Sequence, residues 1–91
     1  MSKKNNTQEV VQEYFLDYEL FDTTEIIKIT AFYKLIVNIN KGKSFKKEDI
    51  INKYNEYRSI INNKSLEKKY DSEFEKLYNC SIYKTMQNIL K

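Results

Sequence analysis

The most apolar segment of the sequence lies between Thr23 and Asn40 (TTEIIKITAFYKLIVNIN). Its apolar side chains recur at the three- and four-residue spacing of an α-helix, and Leu35 and Ile39 widen the face that they form. The positions on this face are Ile26, Ile29, Phe32, Tyr33, Ile36 and Val37. A helix this apolar has to be covered on two or more sides. The pattern therefore predicts an all-α protein, a compact four-helix array around a central helix at about 23–40.

The ends of this central helix carry recognisable capping residues. Asp22 can accept hydrogen bonds from the free amides of the first turn, while Glu25 can reach back to the Asp22 amide as a capping box. The helix is expected to end near Asn40, because Gly42 suits the left-handed conformation of a helix exit.

Three further amphipathic helices are predicted after the central one. Their ranges are about 45–61, 66–78 and 81–90, with Ser44, Ser65 and Ser81 as N-caps and Asn79 as a left-handed exit between the last two. The side chains expected to face inward are Ile50, Tyr54, Tyr57 and Ile61 in the first, Leu66, Tyr70, Phe74 and Leu77 in the second, and Ile82, Met86, Ile89 and Leu90 in the third. The short connection between the last two predicts a helical hairpin.

The N-terminal part differs from the rest in composition. Residues 1–13 are polar without a core stripe and are predicted to be a flexible tail, so that residues 14–91 form a single helical domain. Residues 14–21 (YFLDYELF) are predicted to be an extended arm that lays apolar side chains across the end of the bundle. The candidates for this contact are Phe15, Leu16, Leu20 and Phe21.

The composition favours a helical protein without a membrane-spanning segment. The chain of 91 residues has no Pro and a single Gly, which favours helices over tight hairpins. No run approaches the roughly 18 apolar residues of a membrane span. Cys80 is the single cysteine and no secretory leader is visible, so a cytoplasmic location without membrane association is expected. The net charge of +3 comes from fifteen Lys and one Arg against thirteen acids.

Three stretches resemble the YktA-like family of small bacterial proteins. They are FLDYELFDTTE at 15–25, the Ala31-Phe32-Tyr33 centre of the apolar helix, and YRSIINNKSLEKKYDSEFEKLYNCSIY at 57–83. The resemblance spans roughly residues 14–90 and is most specific from Lys64 to Tyr83. Within that part Lys64, Glu67, Lys68, Asp71, Glu73, Phe74, Glu75, Ser81 and Tyr83 occupy the family's expected places.

The chain departs from the family pattern at several positions. Asn62 stands for a Pro, Leu66 for an acid, Asn79 and Cys80 for a Gly-Tyr pair, and the Trp of the lead-in is missing. Asn tolerates a left-handed helix exit, so the turn at position 79 is expected to survive. The family is all-helical and its function is uncharacterised, so the resemblance implies a fold and no activity.

No residue set in the sequence predicts catalysis, a cofactor or a metal. The absence of His excludes a His-based triad and the common zinc sites. Cys80 has no base in reach along the sequence and is interpreted as a small residue at a helix corner. The acids Glu67, Asp71, Glu73 and Glu75 are interpreted as a solvated surface rather than as a metal site. The protein is therefore predicted not to be an enzyme.

Two surfaces are candidates for binding. Lys41, Lys43, Lys46 and Lys47 could contact the phosphates of a nucleic acid, although the same cluster is expected from a Lys-rich composition. Tyr78, Asn79, Ser81 and Tyr83 could form a protein-interaction surface, although tyrosines at such a corner also close a core. The leading prediction is a protein-interaction module with an unidentified protein partner, and the alternative is a weak non-specific nucleic-acid binder. Self-association is left open by the sequence.

Overall fold

A computed structural model describes residues 19–91, and in this range the chain forms four α-helices and no strand. The helices are α1 (Thr23–Asn40), α2 (Lys47–Ile61), α3 (Lys64–Tyr78) and α4 (Ile82–Leu90). Helix α1 packs against α2 and α4, and α3 packs against the same two helices. The predicted all-α, four-helix architecture is confirmed. The predicted tail at 1–13 and the arm residues Phe15 and Leu16 lie outside the described residues.

Helix α1 has the predicted bounds and the predicted caps. The Asp22 carboxylate accepts a hydrogen bond from the Glu25 amide at 2.8 Å, and the Asp22 amide donates to Glu25 Oε1 at 3.0 Å, which completes the capping box. Lys41 ends the helix, and Gly42 follows in the left-handed region with φ 87°. All six residues of the predicted apolar face of α1 are buried.

The predicted cap of α2 at Ser44 is wrong, and the helix starts two residues later than the predicted start at about 45. Helix α2 begins at Lys47 after an extended Lys46, and no side chain caps it. The later start leaves Glu48 and Asp49 in the first turn, where their negative charge favours the positive end of the helix dipole. Their interaction with the helix dipole stabilises the start of α2 in the absence of a side-chain cap.

The predicted start of α3 at about 66, with Ser65 as its cap, is also wrong. Helix α3 begins at Lys64, and Asn63 is the N-cap, with its side-chain oxygen accepting from the Leu66 amide at 2.9 Å. Asn62 ends α2 in the left-handed conformation, so two asparagines make the whole connection. The short connection holds α2 and α3 side by side.

The turn before α4 follows the prediction closely. Asn79 is left-handed with φ 58°, and the Ser81 hydroxyl caps α4 by accepting from the Lys84 amide at 3.1 Å. The helix itself starts at Ile82, one residue after the predicted start at 81.

Aromatic side chains fill the centre of the core. The Phe32 ring stacks on Tyr57 at 4.8 Å, and the Tyr33 ring lies 4.8 Å from Phe74. Phe21 is buried with its ring 5.9 Å from Tyr70, so this residue of the predicted arm does cover the bundle. The core therefore joins α1, α2 and α3 through rings.

Two side chains expected to face inward lie at the surface instead, since Leu77 is 37% exposed and Leu90 is 52% exposed. Of the alternatives Leu20 and Phe21 in the arm, Phe21 is buried and Leu20 is 56% exposed. On α4 the predicted Ile82 and Met86 are buried, and so is Thr85, whose hydroxyl donates to the Ser81 carbonyl at 2.7 Å and accepts from Asn40 at 2.9 Å. A polar contact thus joins the end of α1 to α4.

Candidate functional site

An open groove with a volume of about 540 Å³ lies where α2, α3 and the start of α4 meet. We call it the α3 groove, because α3 supplies most of its wall. The side chains that line it are Tyr54, Arg58, Lys64, Glu67, Lys68, Asp71, Ser72, Glu75, Ser81 and Tyr83. It combines the aromatic surface of two tyrosines with charged groups of both signs.

A chain of hydrogen bonds leads from the core to this groove. The Tyr33 hydroxyl donates to the Tyr57 hydroxyl at 3.2 Å, and the Tyr57 hydroxyl donates to Asp71 Oδ1 at 2.8 Å. Burial raises the pKa of both tyrosines far above the ordinary value, so both hydroxyls stay protonated and act as donors. Three helices are joined by this chain, since Tyr33 is on α1, Tyr57 on α2 and Asp71 on α3.

Asp71 is an unusual acid for this surface. Burial raises its pKa from 3.8 to about 6; the Tyr57 hydrogen bond lowers it, nearby Glu67 raises it and Arg58 lowers it. The interpretation of Asp71 as a solvated acid is therefore wrong. A signal was present in the sequence, because a spacing of seven residues puts Asp71 on the same helical face as Tyr78, beside the core stripe.

The single arginine of the chain is fixed at one side of the groove. The Arg58 guanidinium carbon lies 5.4 Å from the centre of the Tyr54 ring, and Arg58 Nε lies 3.5 Å from Glu67 Oε2. Both contacts restrict the long side chain, and the ion pair occupies Glu67. Burial raises the pKa of Tyr54, which keeps its hydroxyl protonated in this wall.

The predicted interaction surface at the α3–α4 corner divides into two parts. Tyr78 turns toward the core, with its ring 4.9 Å from Phe74, and Asn79 shapes the helix exit. Ser81 and Tyr83 line the α3 groove instead, and Tyr83 is 61% exposed. The structure brings the last two together with Asp71 and leaves the first two outside the groove.

The four candidate lysines lie in another part of the molecule, around the α1–α2 connection. Lys41, Lys43, Lys46 and Lys47 are all exposed. Among them Phe45 is 42% exposed, and it lines a second groove of about 630 Å³ together with Lys47. None of the four lysines lines the α3 groove.

Nothing in the described part of the chain assembles a metal site. Within residues 19–91 no group of three or more cysteine and acidic side chains is arranged to hold a metal ion. Burial, with a smaller effect from Glu75, raises the pKa of the Cys80 thiol, which disfavours the nucleophilic thiolate. The four described helices also include none that is both long enough and apolar enough to cross a bilayer.

Comparison with known proteins places the chain in a family. The family model of an uncharacterised protein family, UPF0223, matches residues 4–91. The chain belongs to this family. Three bacterial UPF0223 proteins illustrate the similarity. One from Bacillus cytotoxicus is 36% identical over 75 residues, covering 82% of each chain. One from Lactiplantibacillus plantarum is 35% identical over 75 residues, covering 82% of this chain and 75% of the relative. One from Staphylococcus haemolyticus is 30% identical over 77 residues, covering 85% and 83%.

The UPF0223 relatives confirm the resemblance to a small uncharacterised bacterial family. Their names describe no activity, ligand or partner. No solved structure gives a significant match to the chain. A proposal for the function therefore has to start from the side chains of the α3 groove.

Proposed function

We propose that this UPF0223 protein is a non-enzymatic interaction module that binds a partner protein at the α3 groove. The observation that carries the proposal is the fixed arrangement of three anchor residues around one concavity. Tyr54, Arg58 and Tyr83 all line the groove, and tyrosine and arginine are the side chains most enriched where proteins bind each other tightly.

Two of the anchors, Arg58 and Tyr83, make contacts within the protein that restrict their side chains before a partner arrives. Arg58 is fixed by the Tyr54 ring and by Glu67. The Tyr83 hydroxyl accepts a hydrogen bond from Gln87 Nε2 at 2.9 Å, although the side chain remains 61% exposed. Ordering a rotamer-rich side chain on binding costs about 0.5–1.5 kcal/mol. Preorganised anchors lower that cost, which favours recognition at this groove.

The test is capture of a partner with the intact protein and two matched variants. Tyr83→Ala removes an anchor, and Ile27→Ala removes a side chain that is equally exposed, at 60%, but does not line the groove. Wild type and Ile27→Ala are expected to retain a stoichiometric bacterial protein at physiological salt, and Tyr83→Ala is expected to lose it. Equal retention by all three proteins, or no stoichiometric protein with wild type, refutes the proposal.

A second candidate function is weak nucleic-acid binding through the lysine cluster. Phe45 favours it, because an exposed ring among exposed lysines offers a base-stacking platform beside phosphate contacts. Glu48 and Asp49 follow directly in the first turn of α2 and oppose it. The groove has the stronger claim, because its anchors are fixed.

Heparin and duplex DNA separate this candidate from the first. The variant replaces Lys41, Lys43, Lys46 and Lys47 by Gln, and the control replaces Lys34, Lys76, Lys84 and Lys91 by Gln. Both lose the same charge, so selective loss of retention at low salt in the first variant supports a local site. No retention of the wild-type protein at low salt, or equal loss in both variants, rejects it.

A further inference from the structure

The α3 groove contains a carboxylate that forms no ion pair within residues 19–91. Asp71 receives one hydrogen bond from Tyr57, at 2.8 Å. Among residues 19–91 no lysine or arginine forms an ion pair with it; the Arg58 guanidinium pairs with Glu67 and acts on Asp71 from beyond ion-pair distance, where it lowers the pKa of that carboxyl. Half-buried negative charge without a partner cation is unfavourable, and the pKa of about 6 reflects this cost.

Charge is distributed unevenly along the groove. Glu67, Asp71 and Glu75 are spaced by four residues and share one face of α3, and all three line the groove. Lys64, Glu67 and Lys68 come from the first part of α3, and Arg58 pairs with Glu67 while its charge also reaches Asp71. The later part of α3 contributes Asp71 and Glu75 as its charged lining groups.

Aromatic rings beside the acidic end add a second attraction for a cation. The Tyr54 ring already has the Arg58 guanidinium over one face, 5.4 Å from the ring centre. Tyr83 presents a second, mostly exposed ring at the same groove. Cation–π contacts of this kind are worth about 0.5–2 kcal/mol, more where water is displaced.

Resting on the proposed function, we propose that the groove receives a basic side chain, a lysine or arginine of the partner protein, whose cation pairs with the Asp71 carboxylate beside Tyr54 and Tyr83. The cation pairs with a carboxylate whose charge Arg58 compensates only in part. The aliphatic stem of the same side chain covers aromatic surface. An acidic partner side chain would instead have to approach Asp71 and Glu75 against their charge, so the acidic end selects against it.

The test uses small probes of defined charge and the backbone amide signals of the full chain in NMR. Nα-acetyl-lysine methylamide carries the cation, Nα-acetyl-norleucine methylamide has a similar stem without charge, and Nα-acetyl-glutamate methylamide carries the opposite charge. The lysine probe is expected to shift the amide signals around Asp71 and Tyr83. The other two are expected to leave them in place.

Variants distinguish a direct contact with Asp71 from a general electrostatic effect. Asp71→Asn is expected to weaken binding of the lysine probe about tenfold, since loss of one member of a close charge pair has an effect of that order. Glu73→Gln removes an acid from the same helix outside the groove lining and is expected to bind as wild type. Equal weakening in both variants, or none in Asp71→Asn, overturns the proposal, as does preferential binding of the glutamate probe or no shift with any probe.

A pH series adds a readout specific for this carboxylate. The groups that face Asp71 are the Tyr57 hydroxyl and Arg58 on α2 and Glu67 on α3, with Tyr33 on α1 behind Tyr57. Binding of the lysine probe is expected to weaken as the pH falls through about 6, where Asp71 becomes protonated. Binding that does not change over this range overturns the proposal.

The binding of a partner protein to the Asp71→Asn variant separates the basic-side-chain proposal from the interaction-module proposal. A partner protein that depends on Tyr83 but binds Asp71→Asn as well as wild type would leave the interaction module standing. That result would reject the proposal that a basic side chain pairs with Asp71. If no partner protein depends on Tyr83, both the interaction module and the basic side chain are rejected.

Discussion

The half-buried charge of Asp71, which Arg58 compensates only in part, predicts that neutralising this side chain stabilises the protein. In Asp71→Asn the side chain keeps its shape, and the amide carbonyl can still accept the hydrogen bond that Tyr57 donates. The half-buried charge disappears. The change therefore separates the cost of the charge from the packing and hydrogen bonding of the side chain.

The direction with pH follows from the two pKa values. Asp71 titrates near 3.8 when it is free in solution and near 6 in the fold, so the folded protein binds more protons between these values. The favourable contribution of the protonated group is complete below about pH 4 and is lost as the pH rises through about 6. The variant should thus gain most above pH 6 and little near pH 4.

The size of the gain can be bounded. A difference between 3.8 and about 6 corresponds to roughly 3 kcal/mol at about 1.4 kcal/mol per pKa unit. Asp71 is only half-buried, and solvent screening reduces such terms at the surface, so we expect about 1–2 kcal/mol at neutral pH. This is a large part of the total stability of a small domain.

Urea unfolding followed by circular dichroism at several pH values measures the effect. The free energy of unfolding of Asp71→Asn should exceed that of wild type at about pH 7.5, and the two should converge at about pH 4. Glu73→Gln serves as control and should change little at either pH. A variant less stable than wild type at neutral pH, or a gain that does not depend on pH, would refute the account of Asp71.

Substitutions at three further positions test the contacts that stabilise the fold. Asp22→Ala removes the cap that the Glu25 amide uses and should lower the free energy of unfolding by about 1 kcal/mol in urea titrations; no loss would show that the capping box is dispensable. Asn79→Ala places an alanine at φ 58° and should cost about 1 kcal/mol by the same assay, whereas Asn79→Gly should cost less, and the reverse order would contradict the left-handed exit. Tyr33→Phe removes the donor to Tyr57 and should cost about 1 kcal/mol by calorimetry, and an unchanged melting temperature would show that this buried bond contributes no net stability.

Helix α1 shows what the sequence could establish alone. Its apolar face is continuous, its capping box is local, and Gly42 follows its end, so all the signals come from within about twenty residues. The starts of α2 and α3 were less predictable, because Ser44, Asn63 and Ser65 are all acceptable caps in isolation. The choice among them depends on how tightly the helices must be connected, which is a tertiary property.

The groove required knowledge of helix docking. The Arg58 contact with Tyr54 spans four residues on one helix and is a local feature that could have been anticipated. The bond between Tyr57 and Asp71 spans fourteen residues and exists only because α3 turns back along α2. Because the sequence does not predict this hydrogen bond, it predicts a solvated Asp71 and gives no sign of the groove.

The presence of a costly carboxylate at this position is the strongest physical reason to connect Asp71 with binding. An asparagine would keep the Tyr57 hydrogen bond without the charge, so stability alone does not require an aspartate. A bound cation favours aspartate over asparagine at this position, because it pairs with the ionised carboxylate. The same substitution should then raise stability and weaken binding of the lysine probe. If Asp71→Asn gained stability and bound the lysine probe as tightly as wild type, the Asp71 charge would contribute neither to stability nor to binding.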